Sequence, residues 1–475
     1  MKTGSSHSPL TRILSGVGAF LFCATVAAQG QPDPFAGNNT RYPELKDYPK
    51  EYPKDLPKGF RTSNYEYPLQ ADARPWLARR PNAALSKQTA PAYIAAVKKF
   101  IEDDLSGLVN DPMNWSPQKA GWYDMPWGGQ GSTMSNGLVD PTSGREAMLG
   151  SYTGQVLQPD SYPSNPPKLP FQNHAVVYYN DVAASQLGKV WRDPFHPDVK
   201  AAQFPEGSMV VKVEAATLTE DDWPVLKNST VSYIFRPPVA SLDEPDPTKR
   251  MPVVTPMRFL QMAVRVKDSV ASPQTGWVFI AFAYDTRSNG TTVWDRATPV
   301  GATWGNDPQL AKYPNGLGPN GQLTETWLNP NMAPFVKDGL GWGGRLAGPL
   351  DLGMRRNVVT VSGRRYADLK DQPGLGASSC ISCHSSAQYP FVANLYPSPN
   401  MVFPREGGGQ FLLYDPGTPL WAQWFQNRPG TQALSGKGRK DIVGTDYDMM
   451  LTFALMRANG SADIDAFIRH PRAGH

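Results

Sequence analysis

The chain is poor in cysteine and nearly neutral, and both features restrict what it can be. Three cysteines in 475 residues are too few for the disulfide framework on which small exported domains depend. A formal net charge of +4 is too small to indicate nucleic acid as a partner. The sequence also has no internal repeat and no Walker loop, nucleophile elbow, dinucleotide fingerprint or metalloprotease helix.

Long apolar runs are also scarce, and the one near the start has the pattern of a secretory signal. Lys2 and Arg12 carry positive charge ahead of an apolar run, Ile13–Val26, and small residues then offer a cleavage site before Gln29. We expect residues 1–28 to be a signal peptide, with an uncleaved anchor as the alternative. No later segment approaches the roughly 18 apolar residues of a membrane span, so the mature chain is expected to be periplasmic or secreted and not membrane-spanning.

The sequence is rich in proline, glycine and aromatic residues. Residues 29–90 repeat a loose Tyr-Pro pattern, as at Tyr42-Pro43 and Tyr48-Pro49, which favours extended backbone over helix. We interpret this segment as an extended arm. Tyrosine is a poor choice for a solvated tether, so the arm is expected to wrap the surface rather than to serve as a free linker.

An amphipathic helix is predicted directly after the arm. Thr89 is a candidate N-cap, Pro91 suits the first turn, and apolar residues then recur at three- and four-residue steps. These residues are Ile94, Val97, Ile101 and Leu105. Near the end of the chain, two further helical segments are predicted at Pro419–Asn427 and Tyr447–Ala458.

Between these helices the apolar residues alternate with polar ones, which predicts strands. The predicted strands are Ser208–Ala215, Val231–Phe235, Phe259–Lys267 and Gly276–Tyr284. In the third strand, four apolar residues share one face while Gln261, Arg265 and Lys267 share the other. Asp268–Thr275 is a hairpin-type loop, so the last two strands are expected to pair directly.

The most informative motif lies late in the chain, at Cys380-Ile381-Ser382-Cys383-His384. In a Cys-x-x-Cys-His sequence the two thiols add across the two vinyl groups of a haem, and the adjoining histidine becomes an axial ligand of the iron. The motif therefore predicts one covalently attached c-type haem, anchored by Cys380 and Cys383, with His384 as the metal ligand. Such attachment happens outside the cytoplasm, in agreement with the predicted signal peptide.

Other chemistries for the same residues have less support. A zinc site needs about two further Cys or His ligands, which the spacing of the other histidines does not offer. Those histidines of the mature chain are His174, His196, His470 and His475. A thioredoxin-like redox pair belongs near a βαβ unit, whereas this motif follows a loop. A plain disulfide between Cys380 and Cys383 is the third alternative, since Cys23 lies in the predicted signal peptide.

Together these patterns predict an α+β fold, with a mainly antiparallel β-sheet core, helices at both ends and a C-terminal haem-binding segment. The mature chain is long enough for one large domain or two ordinary ones. The expected divisions are a signal peptide at 1–28, an extended arm at 29–90, an α+β domain at 91–345 and a haem-binding region at 346–475.

The sixth ligand of the iron decides whether such a haem carries electrons or binds small molecules. The candidates are Met401, Met449, Met450, Met456, His174 and His196. A methionine on a predicted helix belongs to the core more often than to a metal, and a single histidine is usually structural. The sequence therefore leaves three possibilities for the sixth position, namely a methionine, a histidine or no protein ligand.

Segments outside the motif resemble a family of large bacterial monohaem cytochrome c proteins, over roughly residues 110–395. The matching segments are Trp122–Trp127, Gly144–Glu146, Asn173–Asn180, Gly188–Trp191, Phe204–Gly207, Thr275–Phe279, Trp294–Arg296, Trp304–Asp307, Gly341–Leu346 and Ser379–His384. Two departures stand out. Residues 351–372 look like an insertion that would cover the haem edge or bind a partner, and His174 replaces an expected aromatic residue.

A more remote similarity concerns the strands. Phe204–Lys212, followed by Val264–Asp268 and a Gly-Trp strand before a late Cys-x-x-Cys-His, is similar to the β-sheet cytochromes of the c-prime-beta and hydroxylamine-oxidising type. That resemblance implies an antiparallel sheet around an open haem face and, as in some of those proteins, a lysine cross-linked to the macrocycle. Lys212 is the lysine in question. The alternative is a solvated lysine on the outer face of a strand.

We therefore expect an exported monohaem c-type cytochrome that exchanges electrons with a redox partner protein. The alternative is a haem enzyme or gas-binding protein with an open distal site, acting on a small nitrogen oxide or peroxide. A binding module with a structural haem has less support. An electron carrier needs far fewer than 475 residues, so most of this chain has another task such as docking, shielding or catalysis. No catalytic residue is identifiable from the sequence.

Overall fold

The computed structural model describes most of the chain between residues 32 and 460. The described residues are 32–38, 42–48, 50, 52, 62–131, 139–241, 244, 246, 249–351, 357–361, 364–368, 376–398, 410–434 and 441–460. The predicted signal peptide at 1–28 and the candidate ligand Met401 lie outside them, as do His470 and His475. The described residues from Asp33 onward belong to one compact unit.

An antiparallel sheet of eight strands forms the centre of the fold. The strands are β1 Tyr152–Leu157, β2 Phe171–Tyr179, β3 Met209–Ala216, β4 Val231–Arg236, β5 Val253–Lys267, β6 Trp277–Tyr284, β7 Ala297–Thr303 and β8 Thr326–Leu328. Their order is β1-β2-β3-β5-β6-β7-β8, and β4 pairs with the first part of β5. The mainly antiparallel sheet is thus confirmed, as are the four predicted strands and the direct pairing of β5 with β6.

Short helices surround the sheet. They are α1 Arg74–Leu77, α2 Ala90–Phe100, α3 Glu102–Asn110, α4 Pro117–Ala120, α5 Asp181–Val190, α6 Val293–Arg296, α7 Pro334–Asp338, α8 Cys380–His384, α9 Pro419–Ala422 and α10 Met449–Ala458. The prediction of one continuous helix through Leu105 was wrong, because Ile101 (φ −93°, ψ −1°) divides this segment into α2 and α3. Thr89 occupies the N-cap position, but its hydroxyl accepts the N–H of Ser86 instead of capping the helix.

Alternation along the strands gives the sheet two chemically different faces. The helix face carries aliphatic side chains such as Val211 and Val264, which pack with the apolar residues of α2 and α3 in the main core. The other face, which we call the site face, carries Lys212, Ala263 and Ala281 at paired positions of β3, β5 and β6. The sheet therefore separates an apolar core from a more polar surface.

The C-terminal part of the chain packs against the site face. Ile381 of α8 and Leu451 of α10 are fully buried there, in an apolar cluster that includes Phe279 of β6. Burying one such aliphatic side chain contributes about 1.5–3 kcal/mol. This packing fixes the helix that contains the Cys-x-x-Cys-His motif against the middle strands of the sheet.

Smaller sheets lie outside the central one. β9 Asn357–Val361, β10 Arg364–Asp368 and β12 Gln410–Leu412 form a three-stranded sheet, and β11 Gln388–Tyr389 pairs with β13 Val443–Gly444. β9 and β10 fall within residues 351–372, the predicted insertion. Within the described ranges, no helix has the length and apolar character needed to cross a membrane.

The described part of the predicted arm packs through its aromatic residues. Tyr52 is buried, and its ring centroid lies 5.0 Å from that of Tyr233 in β4. Tyr67 donates its hydroxyl to the carbonyl of Asp124 at 2.5 Å. The tyrosines of this segment therefore bury an apolar ring and satisfy a polar group at the same time, which suits them to hold extended backbone against a surface.

Candidate functional site

The Cys-x-x-Cys-His motif forms its own short helix, α8, because the serines around it cap the first turn. The Ser379 hydroxyl accepts the N–H of Ser382 at 3.1 Å, and the Ser382 hydroxyl accepts the N–H of Ser379 at 2.7 Å. This reciprocal cap satisfies N–H groups that a helix start leaves free. Ile381 anchors the turn in the core, while Cys380 and Cys383, one turn apart, remain partly exposed.

The surroundings of Cys380 and Cys383 favour the protonated thiol over the thiolate. Burial raises the pKa of Cys383 to about 12 and raises the pKa of Cys380 still further, and the Asp351 carboxylate adds to both shifts. A redox-active or zinc-binding cysteine needs a lowered pKa, because the thiolate is the reactive and ligating form. A thioether carries no charge, so its sulfur suits these surroundings better.

A backbone carbonyl orients the imidazole of His384. Because a carbonyl can only accept, we assign a proton to Nδ1, which donates to the oxygen of Tyr447 at 2.8 Å and leaves Nε2 available as a ligand. Burial and the nearby Arg265 guanidinium lower the pKa of His384 to about 3. The ring is therefore neutral at neutral pH, as a metal ligand must be. Phe279 packs beside it, with ring centroids 5.2 Å apart.

The carbonyl that orients His384 belongs to a strained turn. Asp446 and Tyr447 have φ values of 51° and 62°, in the left-handed region that is costly for residues other than glycine. The Asp446 carboxylate holds this turn by accepting hydrogen bonds from Lys267 Nζ and Trp277 Nε1, both at 2.8 Å. Two neighbouring strands, β5 and β6, therefore fix the position of the turn.

Arg265 of β5 ties the same turn to the helix that follows. Its guanidinium donates to the Tyr447 carbonyl at 2.5 Å and to the Asp448 carboxylate at 3.0 Å. Asp448 in turn caps α10 by accepting the N–H of Leu451 at 2.8 Å. The Tyr447 oxygen thus accepts hydrogen bonds both from the sheet and from the imidazole of His384.

A second charged group lies on the site face next to α8. Lys212 Nζ is 2.8 Å from a carboxylate oxygen of Asp351 and 2.9 Å from one of Glu214. Gln261 bridges the two carboxylates, donating to Glu214 at 2.5 Å and to Asp351 at 2.8 Å. Asn173 also donates to Glu214, at 2.8 Å. We call Lys212, Glu214, Asp351 and Gln261 the lysine cluster.

Burial and ion pairing set the charges of the lysine cluster. Burial raises the pKa of Glu214 to about 7, against the opposing effect of Lys212. Burial alone would lower the pKa of Lys212, but attraction by Asp351 and Glu214 raises it overall. Lys212 is therefore charged at neutral pH, and Glu214 exchanges a proton near pH 7. The charges of Lys212 and Asp351 also shift the pKa of His384 and of both thiols, so the cluster lies beside the motif.

The site face is partly exposed at Lys212, whereas Glu214 and Gln261 of the lysine cluster are fully buried. Val177, Lys212 and Ala263 occupy paired positions on three adjacent strands, and all three are partly exposed although they lie in the interior of the sheet. The next residue in the row, Ala281, is small and buried. We call the three partly exposed positions of this row, Val177, Lys212 and Ala263, the shelf.

The two histidines considered as a sixth ligand lie in different places. His174 points to the helix face, where apolar residues such as Val109 of α3 line a small cavity around it. Its Nδ1 has no hydrogen-bond partner, and burial lowers its pKa to about 3. The sheet therefore separates His174 from His384. His196 is exposed and bonds to Asp193 at 2.8 Å.

The methionines that follow the motif, other than Met401, lie on α10. Met449 and Met456 are buried in an apolar cluster with Phe391, and Ser386 donates a hydrogen bond to the sulfur of Met449 at 3.8 Å. Met450 is partly exposed and packs against the cluster that contains Ile381. These contacts favour a core role for Met449 and Met456.

Sequence reasoning identified the Cys-x-x-Cys-His motif but missed most of the residues that surround it. Arg265 and Lys267 were visible as charged members of one strand face, yet Tyr447, which Arg265 binds, lies 182 residues further along the chain. The roles of Glu214 and Asp351 were also missed, because Asp351 is 139 residues from its partner Lys212. A charged residue at a strand position where burial is expected is the one signal that could have pointed to these contacts.

No model of a known protein family, no curated protein and no solved structure matches this chain. The fit of a haem is therefore judged on the donor set itself. Cys380 and Cys383 present protonated thiols one helical turn apart, and His384 is neutral with Nδ1 already bonded. This donor set fits a c-type haem. Within the part of the chain that the structure describes, no group of three or more His, Cys, Asp or Glu side chains is arranged to hold a metal ion.

Proposed function

We propose that this protein is an exported c-type cytochrome whose single haem is attached to Cys380 and Cys383, with His384 as an axial ligand. The observation that carries the proposal is the hydrogen bond from His384 Nδ1 to the Tyr447 carbonyl. It fixes the tautomer and the direction of the ring, as partners of metal-ligating histidines do. When bound, the haem supplies a one-electron couple between ferrous and ferric iron.

Electron transfer is the function that these surroundings support best. His384 is held by Phe279 on one side and by the Tyr447 carbonyl on another. Arg265 and Asp446 in turn hold the strained turn that provides this carbonyl. A ligand fixed in this way moves little when the iron changes charge, which favours rapid electron exchange with a redox partner protein.

The shelf at the lysine cluster favours a second candidate function. Lys212 is charged and partly exposed, and Glu214 exchanges a proton near pH 7. Groups of this kind supply or accept protons in general acid–base catalysis. They would suit a haem enzyme or gas-binding protein that acts on a small nitrogen oxide or peroxide. This candidate needs an iron with an open sixth position.

Optical spectra of the purified holoprotein, with and without carbon monoxide, distinguish the two functions. A six-coordinate, low-spin iron that does not bind carbon monoxide in the ferrous state supports the electron carrier and contradicts the open site. A high-spin iron that binds carbon monoxide promptly contradicts the simple carrier. Met449→Leu and Met450→Leu should leave a low-spin spectrum unchanged unless one of these methionines is the sixth ligand.

The position of Lys212 bears on the predicted cross-link to the macrocycle. Its ammonium is bound by Asp351 and Glu214 and is not a freely solvated group. A protonated amine is a poor nucleophile, so we propose that Lys212 acts on the haem through its charge. An unchanged haem spectrum in Lys212→Ala would exclude a cross-link, whereas a spectrum that shifts to that of an ordinary c-type haem would contradict this view of Lys212.

A further inference from the structure

Arg265 occupies a strand position where a buried aliphatic residue would be ordinary. It lies in the interior of the sheet, paired with Val210 of β3 and Phe279 of β6, and it is only 7% exposed. Taking a guanidinium out of water is costly unless it finds well-placed acceptors. The acceptors that Arg265 finds are therefore informative about its role.

These acceptors connect Arg265 to the candidate axial ligand. One guanidinium nitrogen, Nη2, lies 3.0 Å from the Asp448 carboxylate, and the other, Nη1, donates to the Tyr447 carbonyl at 2.5 Å. His384 Nδ1 donates to the same oxygen at 2.8 Å, and it lies 3.4 Å from Arg265 Nη1. The Tyr447 carbonyl oxygen thus accepts two hydrogen bonds, one from the imidazole of His384 and a charge-assisted one from the guanidinium of Arg265.

Sharing this acceptor has a chemical consequence for the imidazole. A strong hydrogen bond from Nδ1–H increases the basicity of a histidine ligand, which favours ferric over ferrous iron. A second donor that carries charge draws electron density from the oxygen and weakens the first hydrogen bond. The positive charge of Arg265 acts in the same direction, because ferric iron carries one more positive charge than ferrous iron.

We infer that Arg265 is a positioning residue that raises the reduction potential of the haem by sharing the Tyr447 carbonyl with His384. The inference rests on the proposed function and adds to it a determinant of the potential that lies outside the motif. Asp448 completes the arrangement, since it holds the guanidinium against the carbonyl and fixes the start of α10.

The test compares variants of the holoprotein by equilibrium redox titration. Arg265→Gln removes the charge and the charged donor, so at a fixed potential the ratio of reduced to oxidised protein should fall about tenfold. This corresponds to a fall of about 59 mV in the reduction potential of a one-electron couple. The double variant Arg265→Gln with Asp448→Asn removes both charges and keeps a good N-cap residue. The shift that persists in it measures the lost hydrogen bond. Arg265→Lys should recover part of the wild-type potential.

Arg258→Gln is the matched control. Arg258 lies in the same strand and carries the same charge as Arg265, but it donates to the Ser229 carbonyl at 3.0 Å and has no contact with the turn at Tyr447. Its loss should shift the potential less than the loss of Arg265. The resonance of the His384 Nδ1 proton, observed by NMR in the ferric protein, should move in Arg265→Gln and stay in place in Arg258→Gln.

The outcomes separate the inference from the proposed function. A wild-type potential in both Arg265→Gln and the double variant would overturn the inference and leave the cytochrome intact. Equal shifts in Arg265→Gln and Arg258→Gln, with an unmoved Nδ1 proton, would overturn it as well, because the loss of a positive charge from the strand would explain them. If Arg265→Gln does not fold, the reduction potentials of the double variant and of Arg265→Lys are compared with that of the wild type instead. Wild-type potentials in both would overturn the inference. A wild-type protein without haem would overturn the proposed function instead.

Discussion

Glu214 has a fully buried carboxyl group that titrates near neutral pH, which leads to a prediction about stability. Burial raises its pKa from 4.5 to about 7. The unfolded chain loses this proton near pH 4.5, whereas the folded protein keeps it up to about pH 7. Between these values the folded state binds the additional proton, so the free energy of unfolding falls as the pH rises through this window.

The size of this fall follows from the shift. A difference of about 2.5 pKa units, at about 1.4 kcal/mol per unit, corresponds to roughly 3 kcal/mol. Glu214→Gln keeps the shape of the side chain but cannot ionise, so this contribution to the pH dependence disappears. Between about pH 5 and pH 8, we expect the free energy of unfolding to fall by about 2–4 kcal/mol more in the wild type than in the variant.

Urea denaturation of the holoprotein at several pH values measures this difference. Asp221→Asn is the matched control, because it removes one exposed carboxylate in the loop after β3 and leaves the lysine cluster intact. Parallel profiles for the wild type and Glu214→Gln would refute the reasoning, since they would show that the buried carboxyl group does not titrate in this range.

Two further predictions concern the same site. The reduction potential should fall as the pH rises through about 7, because ionised Glu214 adds a negative charge that favours ferric iron. Potentiometric titrations of Glu214→Gln should not show this dependence on pH. The same dependence in the variant and the wild type would contradict the prediction. Ile381→Ala should lower the free energy of unfolding by about 2–5 kcal/mol through a cavity under α8, and Ile381→Val by about 0.5–1.5 kcal/mol. Urea denaturation checks both variants, and equal losses would contradict the packing of Ile381.

Residue periodicity predicted the strands whose two faces differ most in polarity. In β5, Met262 and Val264 lie on the helix face while Gln261 and Arg265 lie on the site face, as the alternation indicated. β2 was not predicted, because Gln172, Asn173 and His174 interrupt its alternation. In the structure Asn173 binds Glu214 on the site face, whereas His174 points into the cavity on the helix face. Polar residues that serve tertiary contacts obscured the local pattern.

β7 was missed for a different reason, since it contains both Pro299 and Gly301. Proline is tolerated because it stands at an irregularity in the pairing with β6, between Ala281 and Phe282. Gly301 is needed because a Cβ atom there would lie 2.3 Å from the carbonyl oxygen of Trp327 in β8. Both residues read as strand breakers in the sequence, and only the packing of neighbouring strands explains them.

In the candidate site, too, residues that are adjacent in the sequence could be predicted, whereas contacts between distant segments could not. The residues that bind a haem in the proposal are adjacent in the sequence and could be named from it. The turn at Asp446 and Tyr447 could not be predicted, because two consecutive left-handed residues without glycine have no local signature. Its conformation depends on Arg265 and Lys267, which lie far away in the chain but next to it in the fold.

The central claim, a covalent haem on α8, is tested most directly by the intact mass of the full chain expressed in a bacterium that matures c-type cytochromes. We expect the processed chain plus one haem that resists acidic acetone extraction, with a pyridine haemochrome spectrum of two saturated vinyl groups. Cys380→Ala should show one unsaturated vinyl group, while Ser386→Ala should match the wild type. An exported protein of unmodified mass, in which Cys380 and Cys383 both react with iodoacetamide after reduction and unfolding, would contradict the claim.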